Sequence, residues 1–138
     1  MPILESNVLE AVTEMDIASA KRVLSIEAKA LEDLASGLGE NFCRVLDIIA
    51  GVSGRIVVTG MGKSGHVGQK IAATFSSTGT PAFFVHPAEA SHGDLGMIAK
   101  GDVVVALSNS GETTELADIV AYAKRFEIPL IGITGGMG

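Results

Sequence analysis

The first fifty residues carry apolar side chains at helical spacing. Between Asp16 and Leu38 these side chains recur every three or four positions, which predicts an amphipathic helix over that range. Asp16 is predicted to be its N-cap. A second apolar periodicity predicts another helix over about Glu40–Ala50. Residues 1–54 are therefore predicted to form an N-terminal helical segment that packs on the domain after it.

The pattern then changes to four short, almost continuously apolar runs, each typical of a strand buried on both faces of a sheet. Helical periodicity fills two of the intervals between them, at His66–Ser76 and Thr113–Phe126. The third interval, Pro87–Gly101, is shorter and is predicted to be mostly loop, with a helical turn near Leu95–Ala99. The four predicted strands are Arg55–Gly60, Ala82–His86, Asp102–Ser108 and Pro129–Thr134.

This alternation of strands and helices predicts the fold class. It indicates an α/β fold, a three-layer, doubly wound parallel sheet with flavodoxin-like strand order 2-1-3-4, over residues 55–138. The final letters ITGGMG read as a strand end followed by a glycine turn. A further helix normally follows such a turn, so we expect the C-terminal part of the domain to be missing.

Composition narrows the possible partners and the compartment. The net charge is −6 and the pI is about 4.9, which argues against a nucleic-acid or anionic membrane surface. The single cysteine, Cys43, is expected to be a small buried apolar side chain, and it indicates a reducing compartment. No signal peptide and no apolar run of about 18 residues is visible. The expectation is a cytoplasmic protein.

The loop GMGKSG after the first strand contains the glycine pattern G-x-G-x-x-G at Gly60, Gly62 and Gly65. A triphosphate-binding loop would need a further glycine at the position of Val57, so that interpretation fails. A dinucleotide fingerprint needs an acidic residue at the end of the second strand, where the chain has His86. The remaining hypothesis is a small phosphate monoester held by hydroxyls and backbone amides.

A second loop, SNSGETTE, follows the third strand and carries hydroxyls around a glycine. In the order 2-1-3-4, the first and third strands flank the switch point of the sheet, so the two loops are predicted to meet at one crevice. Asn109 with Glu112 also fits a capping box, in which case this loop only caps a helix. The predicted phosphate-binding groups are Ser64, Ser108, Ser110, Thr113, Gly62 and Gly111.

Three side chains are candidates for the chemistry. Lys63 is either a solvated loop lysine or a contact for ligand charge. Glu115 is either an acid favoured by a helix dipole or a carboxylate that moves protons on a bound sugar. His92 lies in the segment HPAEASHGDLG and is an acid–base or substrate-binding candidate. The ligand spacing around it matches no known metal pattern, so no metal is predicted.

The blocks GMGKSGH, HPAEASHGDLGM and SNSGE together resemble the sugar isomerase (SIS) domain of arabinose 5-phosphate isomerases. The resemblance implies interconversion of ribulose 5-phosphate and arabinose 5-phosphate through an enediol, on the route to the Kdo sugar of lipopolysaccharide, without a redox cofactor. It implies that Ser64, Ser108, Ser110 and Thr113 hold the sugar phosphate. It associates Lys63, Glu115 and His92 with catalysis and implies a homo-oligomer, either a dimer or a tetramer.

Members of that family continue well beyond position 138, with a further glutamate and histidine of the active site and, in many members, a pair of CBS modules. This chain is therefore expected to be truncated. The alternative function is a noncatalytic SIS module that binds a sugar phosphate as a regulatory sensor. A dinucleotide-dependent oxidoreductase is disfavoured by the missing acid after the second strand.

Overall fold

The computed structural model describes residues 2–136, with side chains described from Val12 onward. The chain divides into two units, with the boundary between Phe42 and Cys43. The first unit consists mainly of α1 (Pro2–Gly37), a helix of 36 residues. The predicted start at Asp16 is wrong. No glycine and no further proline interrupts the residues before it, so the helix continues and Asp16 lies in its interior rather than at its cap.

The helix α2 (Glu40–Ala50) follows and ends beside the sheet of the second unit. Val45 and Ile49 lie one turn apart on this helix and pack against the apolar cluster on one face of the sheet. Cys43 is exposed, so the prediction that it is buried is wrong. It lies two positions from Val45, which places it on nearly the opposite side of the helix.

The second unit contains a four-stranded parallel sheet in the order β2-β1-β3-β4. The predicted strand order is confirmed. In register, Gly60 at the end of the first strand pairs with Leu107, and Ser108 pairs with Thr134. The loops after three of the strands therefore leave the same edge of the sheet at nearly the same level. The strands are β1 (Ile56–Gly60), β2 (Ala82–Val85), β3 (Val103–Ser108) and β4 (Leu130–Thr134).

The connecting helices differ in detail from those predicted. The helix α3 (Gly62–Ser77) starts four residues before His66, directly after Met61. The interval after β2 holds α4 (Pro87–Ser91) and a 3₁₀ turn over Asp94–Met97. The predicted helix Thr113–Phe126 is split into a 3₁₀ turn over Thr114–Leu116 and α5 (Ala117–Arg125).

Each face of the sheet is covered by its own apolar cluster. On one face Val57 and Val104 pack with Ile98 and with Ile119 of α5. On the other face Val58 and the neighbouring strand residues pack with Ala72 of α3 and with side chains of α2. The predicted three-layer, doubly wound α/β architecture is thereby confirmed, together with an N-terminal helical segment.

The four apolar runs are not equally buried. Every residue of β1 and of β3 is buried, whereas Leu130 and Ile133 of β4 are 40% and 51% exposed. The prediction that all four strands are buried on both faces is therefore wrong for β4, and also for most of β2. Both are edge strands of the described sheet, and an edge strand has a neighbour on one side only.

A buried carboxylate lies at the opposite edge of the sheet, where the strands begin. Asp102 is 3% exposed, and its oxygens accept hydrogen bonds from the backbone N–H of Arg55 at 2.7 Å and of Ala99 at 2.9 Å. The Arg55 guanidinium lies 3.4 Å from the same carboxylate and stacks over the ring of Phe83. These bonds fix the start of β1 to the turn that precedes β3.

None of the helices in the described part of the chain combines the length and the apolar character that a membrane span requires.

Candidate functional site

The first glycine loop becomes the first turn of α3, and this turn presents Lys63 and Ser64. Met61 precedes the helix in an extended conformation, and its carbonyl accepts the first helical hydrogen bond, from Gly65 N–H at 3.2 Å. The N–H groups at the start of a helix have no partner within it, and the first turn of α3 contains no acidic residue. This helix end is therefore suited to an anion.

Two glycines make this tight strand-to-helix turn possible. Gly62 has φ of +53°, a left-handed conformation that residues with a Cβ rarely adopt. A Cβ placed on Gly65 would lie 2.6 Å from the Gly60 carbonyl oxygen, which no ordinary contact allows. The glycines therefore keep the helix start pressed against the end of β1.

The second loop is held together by its own hydroxyls. Ser108 Oγ lies 2.6 Å from Thr113 Oγ1, and it also accepts the Gly111 N–H at 3.0 Å. Gly111 has φ of +79°, and Ser110 Oγ accepts the Glu112 N–H at 3.2 Å. The loop is thus a turn braced by hydrogen bonds to its own hydroxyl groups.

The capping-box interpretation of this loop is wrong. The described residues include no hydrogen bond between Asn109 and the backbone or side chain of Glu112. The chain instead continues into a 3₁₀ turn whose preceding residue, Thr113, makes no side-chain capping bond. The helix α5 begins only at Ala117, too far along the chain for Asn109 to cap it.

The two loops meet at a crevice of about 490 Å³ at the carboxyl ends of the strands. This is the switch point between β1 and β3 at which the sequence predicted a site. The crevice is lined by both polar and apolar residues. Its polar lining comes from Lys63, Ser64, Ser108 and Asn109, and its remaining lining from Val67, Leu107, Ile133 and Gly135.

A smaller cavity of about 280 Å³ lies beside it, on the α5 face of β3 and β4. Ser108, Gly111 and Thr113 line this second cavity, so Ser108 belongs to both. Four of the six predicted phosphate-binding residues are therefore distributed over two adjoining cavities, namely Ser64, Ser108, Gly111 and Thr113. Ser110 and Gly62 line neither of the two.

Two of the candidates for the chemistry lie outside both cavities. The carboxylate of Glu115 is exposed and accepts a hydrogen bond from the Thr114 hydroxyl at 3.1 Å. His92 is exposed at the C-cap of α4. Lys63 is the one candidate of the three that lines the crevice. The catalytic roles of these three residues stay predictions.

The histidine-containing segment after β2 forms a short helix. His86 is the N-cap of α4, with Nδ1 accepting the Ala88 N–H at 3.3 Å, and Pro87 is buried at the first helical position.

Among the described residues, no three histidine, cysteine, aspartate or glutamate side chains come together in a group that could hold a metal ion.

Sequence reasoning missed a third contribution to the site, from the loop after β4. Gly135 lines the crevice, and a Cβ there would lie 3.3 Å from the main-chain oxygen of Asn109. The glycine turn ITGG was visible in the sequence. The rule applied to β1 and β3, that ligands bind beyond the carboxyl ends of parallel strands, applies to it equally.

Comparison with known proteins places this geometry in a family. The SIS domain model matches residues 49–138. The chain is 56% identical over 119 residues to the arabinose 5-phosphate isomerase KdsD of Pseudomonas aeruginosa, covering 86% of this chain and 36% of that protein. It is 52% identical over 117 residues to KdsD of Escherichia coli K12, covering 85% and 36%. The chain thus spans little more than a third of these curated relatives.

A solved structure shares both the fold and much of the sequence. An Escherichia coli CFT073 protein, solved in complex with arabinose 5-phosphate, superposes with a TM-score of 0.74 at 46% identity, covering 78% of this chain and 57% of that one. The resemblance to the SIS domain of arabinose 5-phosphate isomerases is thereby confirmed. With a family model that matches most of its length, a shared sheet and a crevice at the expected switch point, the chain belongs to the SIS domain family.

Proposed function

We propose that this chain is the phosphosugar-binding part of an aldose–ketose isomerase that interconverts ribulose 5-phosphate and arabinose 5-phosphate. The observation that carries the proposal is the crevice at the switch point, where Lys63, Ser64 and Ser108 come together. The names of the curated relatives and the arabinose 5-phosphate bound to the similar structure support the choice of sugar.

The phosphate is assigned to the part of the crevice beside the backbone N–H groups of the first turn of α3. A phosphate monoester carries close to two negative charges at neutral pH. The first turn of α3 offers unpaired N–H groups, the Lys63 ammonium and the Ser64 hydroxyl. The second loop adds Ser108 and Thr113, whose hydroxyls can turn from each other to the ligand, and Ser110, whose hydroxyl accepts the Glu112 N–H. Charge-assisted bonds of this kind are about twice as strong as neutral ones.

The reaction itself is a pair of proton transfers. From the aldose, a base removes the proton on C2 while the carbonyl oxygen on C1 gains a proton, and the enediol forms. The hydroxyl proton on O2 then leaves as C1 gains a proton, which yields the ketose with no net oxidation. Lys63, Glu115 and His92 are the proposed catalytic groups, and the assignment of the base among them is left open. Assembly as a homo-oligomer and a cytoplasmic location likewise stay predictions.

Solvent deuterium tests the proposal. The protein is incubated in D₂O with arabinose 5-phosphate and, separately, with ribulose 5-phosphate, and products are followed by proton NMR. The expected result is interconversion with deuterium at C1 of the ketose and C2 of the aldose, because the enediol exchanges its proton with solvent. Turnover would exclude the noncatalytic sensor, whereas binding without turnover would support the sugar-phosphate site alone, because the chain spans little more than a third of its curated relatives. Failure to bind either sugar would refute both.

A further inference from the structure

Asn109 is a polar residue of the crevice to which no function has yet been assigned. It is the first residue after β3, and its neighbour Ser108 turns its hydroxyl to Thr113 and to Gly111 N–H. Asn109 lines the same crevice as Lys63 and Ser64. Its carboxamide makes no hydrogen bond with any of the residues that the structure describes, so its two donors and its acceptor are open to a ligand.

The loop after β4 is shaped around this residue. A Cβ on Gly135 would lie 3.3 Å from the main-chain oxygen of Asn109 and 3.5 Å from its Oδ1. A Cβ on Gly136 would lie 2.6 Å from the carbonyl oxygen of Ser110. Two consecutive glycines therefore let the β4 loop lie against Asn109 and Ser110, while Asn109 itself stays exposed at the crevice.

Among the residues that line the crevice, no side chain has yet been assigned to the hydroxyls of the sugar. The Lys63 ammonium is a donor only, and the hydroxyls of Ser64 and Ser108 are assigned to the phosphate in the proposed function. Val67, Leu107 and Ile133 cannot form hydrogen bonds through their side chains. A sugar carries several hydroxyls, and each is both donor and acceptor. A hydroxyl that is buried without a partner costs about 1–3 kcal/mol.

We propose that Asn109 is the residue that recognises the hydroxyls of the sugar, and that it does not hold the phosphate. A neutral carboxamide matches a hydroxyl pair with a donor and an acceptor, and it leaves the anion to the amides, the ammonium and the serine hydroxyls of the two loops. Asn109 thereby contributes to discrimination between sugar phosphates, because a site built to pair a hydroxyl disfavours a ligand that lacks it. This inference rests on the proposed function.

The test compares two ligands that share the phosphate and differ in the sugar. Calorimetry measures the binding of arabinose 5-phosphate and of inorganic phosphate to the wild type, Asn109→Ala and Asn109→Leu. The leucine variant keeps most of the side-chain volume without its hydrogen bonds. The control is Asn41→Ala, an exposed asparagine on α2. We expect both Asn109 variants to lose about tenfold in affinity for arabinose 5-phosphate, with inorganic phosphate unchanged.

The outcomes separate the two proposals. Equal losses for both ligands would overturn the inference and make Asn109 a phosphate ligand or a support of the loop. Unchanged affinity for arabinose 5-phosphate in both variants would overturn it as well. A wild type that binds inorganic phosphate but not the sugar phosphate would refute the proposed function itself, and the inference with it. The melting temperature of each variant shows whether the fold is retained.

Discussion

Replacement of Gly65 by alanine should push the first turn of α3 away from the sheet. The new Cβ would lie 2.6 Å from the Gly60 carbonyl oxygen, and a contact shorter than 3.0 Å essentially never occurs. The two groups must therefore separate by at least 0.4 Å. Gly60 is fixed by its pairing with Leu107 in the centre of the sheet, so the helix has to move.

The cost follows from the tight packing of the helix. Gly65 and Gly68 are both buried, and a Cβ at either would contact the ring of Phe84. Overpacking of this kind costs about 1–3 kcal/mol. For a domain of this size such a loss lowers the melting temperature by roughly 5–20 °C. Because Ser64 precedes the displaced residue, the affinity for inorganic phosphate should also fall.

Thermal unfolding followed by circular dichroism measures the effect on stability, and calorimetry with inorganic phosphate measures the effect on the site. Gly132→Ala on β4 is the matched control, because a Cβ there meets nothing within 4 Å. The control should melt within about 2 °C of the wild type. If Gly65→Ala also melts within about 2 °C of the wild type and binds phosphate with unchanged affinity, the close approach of α3 to β1 does not determine the position of the loop.

Three further variants test the core, the sheet edge and the second loop. Ile119→Ala removes a fully buried side chain and should lower the free energy of unfolding by about 2–5 kcal/mol in chemical denaturation; a loss below about 1 kcal/mol would contradict the assigned packing. Asp102→Ala leaves the N–H groups of Arg55 and Ala99 without their acceptor, and should cost about 2–4 kcal/mol in the same assay, whereas an unchanged stability would show that water replaces the carboxylate. Ser108→Ala should weaken inorganic phosphate and arabinose 5-phosphate to a similar degree in calorimetry, and a loss confined to the sugar phosphate would be inconsistent with its phosphate role.

The sequence was most informative where a strand lies in the middle of the sheet. The apolar runs that contain Val57 and Val104 correspond to β1 and β3, which are buried at every position. The run at Leu130 has the same apolar pattern, yet β4 is largely exposed. Burial depends on what lies beside a strand as well as on its own side chains, so one apolar run cannot distinguish a central strand from an edge strand.

The sequence predicted where the candidate site lies, but it did not predict all of the contacts that its residues make. Strand order alone brings the loops with Lys63 and Ser108 to one crevice, because ligands bind at the switch point of a doubly wound sheet. A capping box at Asn109 is an alternative that the sequence leaves open, because the spacing from Glu112 fits one equally well. Sequence spacing could not show that α5 starts only at Ala117, since a 3₁₀ turn intervenes.

The helix boundaries show the same limit at the first loop. The helical periodicity after this loop predicts a helix that starts at His66. It starts at Gly62, because a single left-handed residue is enough to turn the chain from β1 into α3. Lys63 and Ser64 therefore lie on the first turn of a helix.

We propose that a sugar phosphate binds at the crevice between the loops after β1, β3 and β4. A titration of the ¹⁵N-labelled protein with arabinose 5-phosphate, followed by amide chemical shifts, examines this binding residue by residue. We expect saturable shifts concentrated at Gly62–Gly65, at Ser108–Thr113 and at Gly135. An absence of saturable shifts, or shifts concentrated on another surface with these amides unmoved, would contradict it.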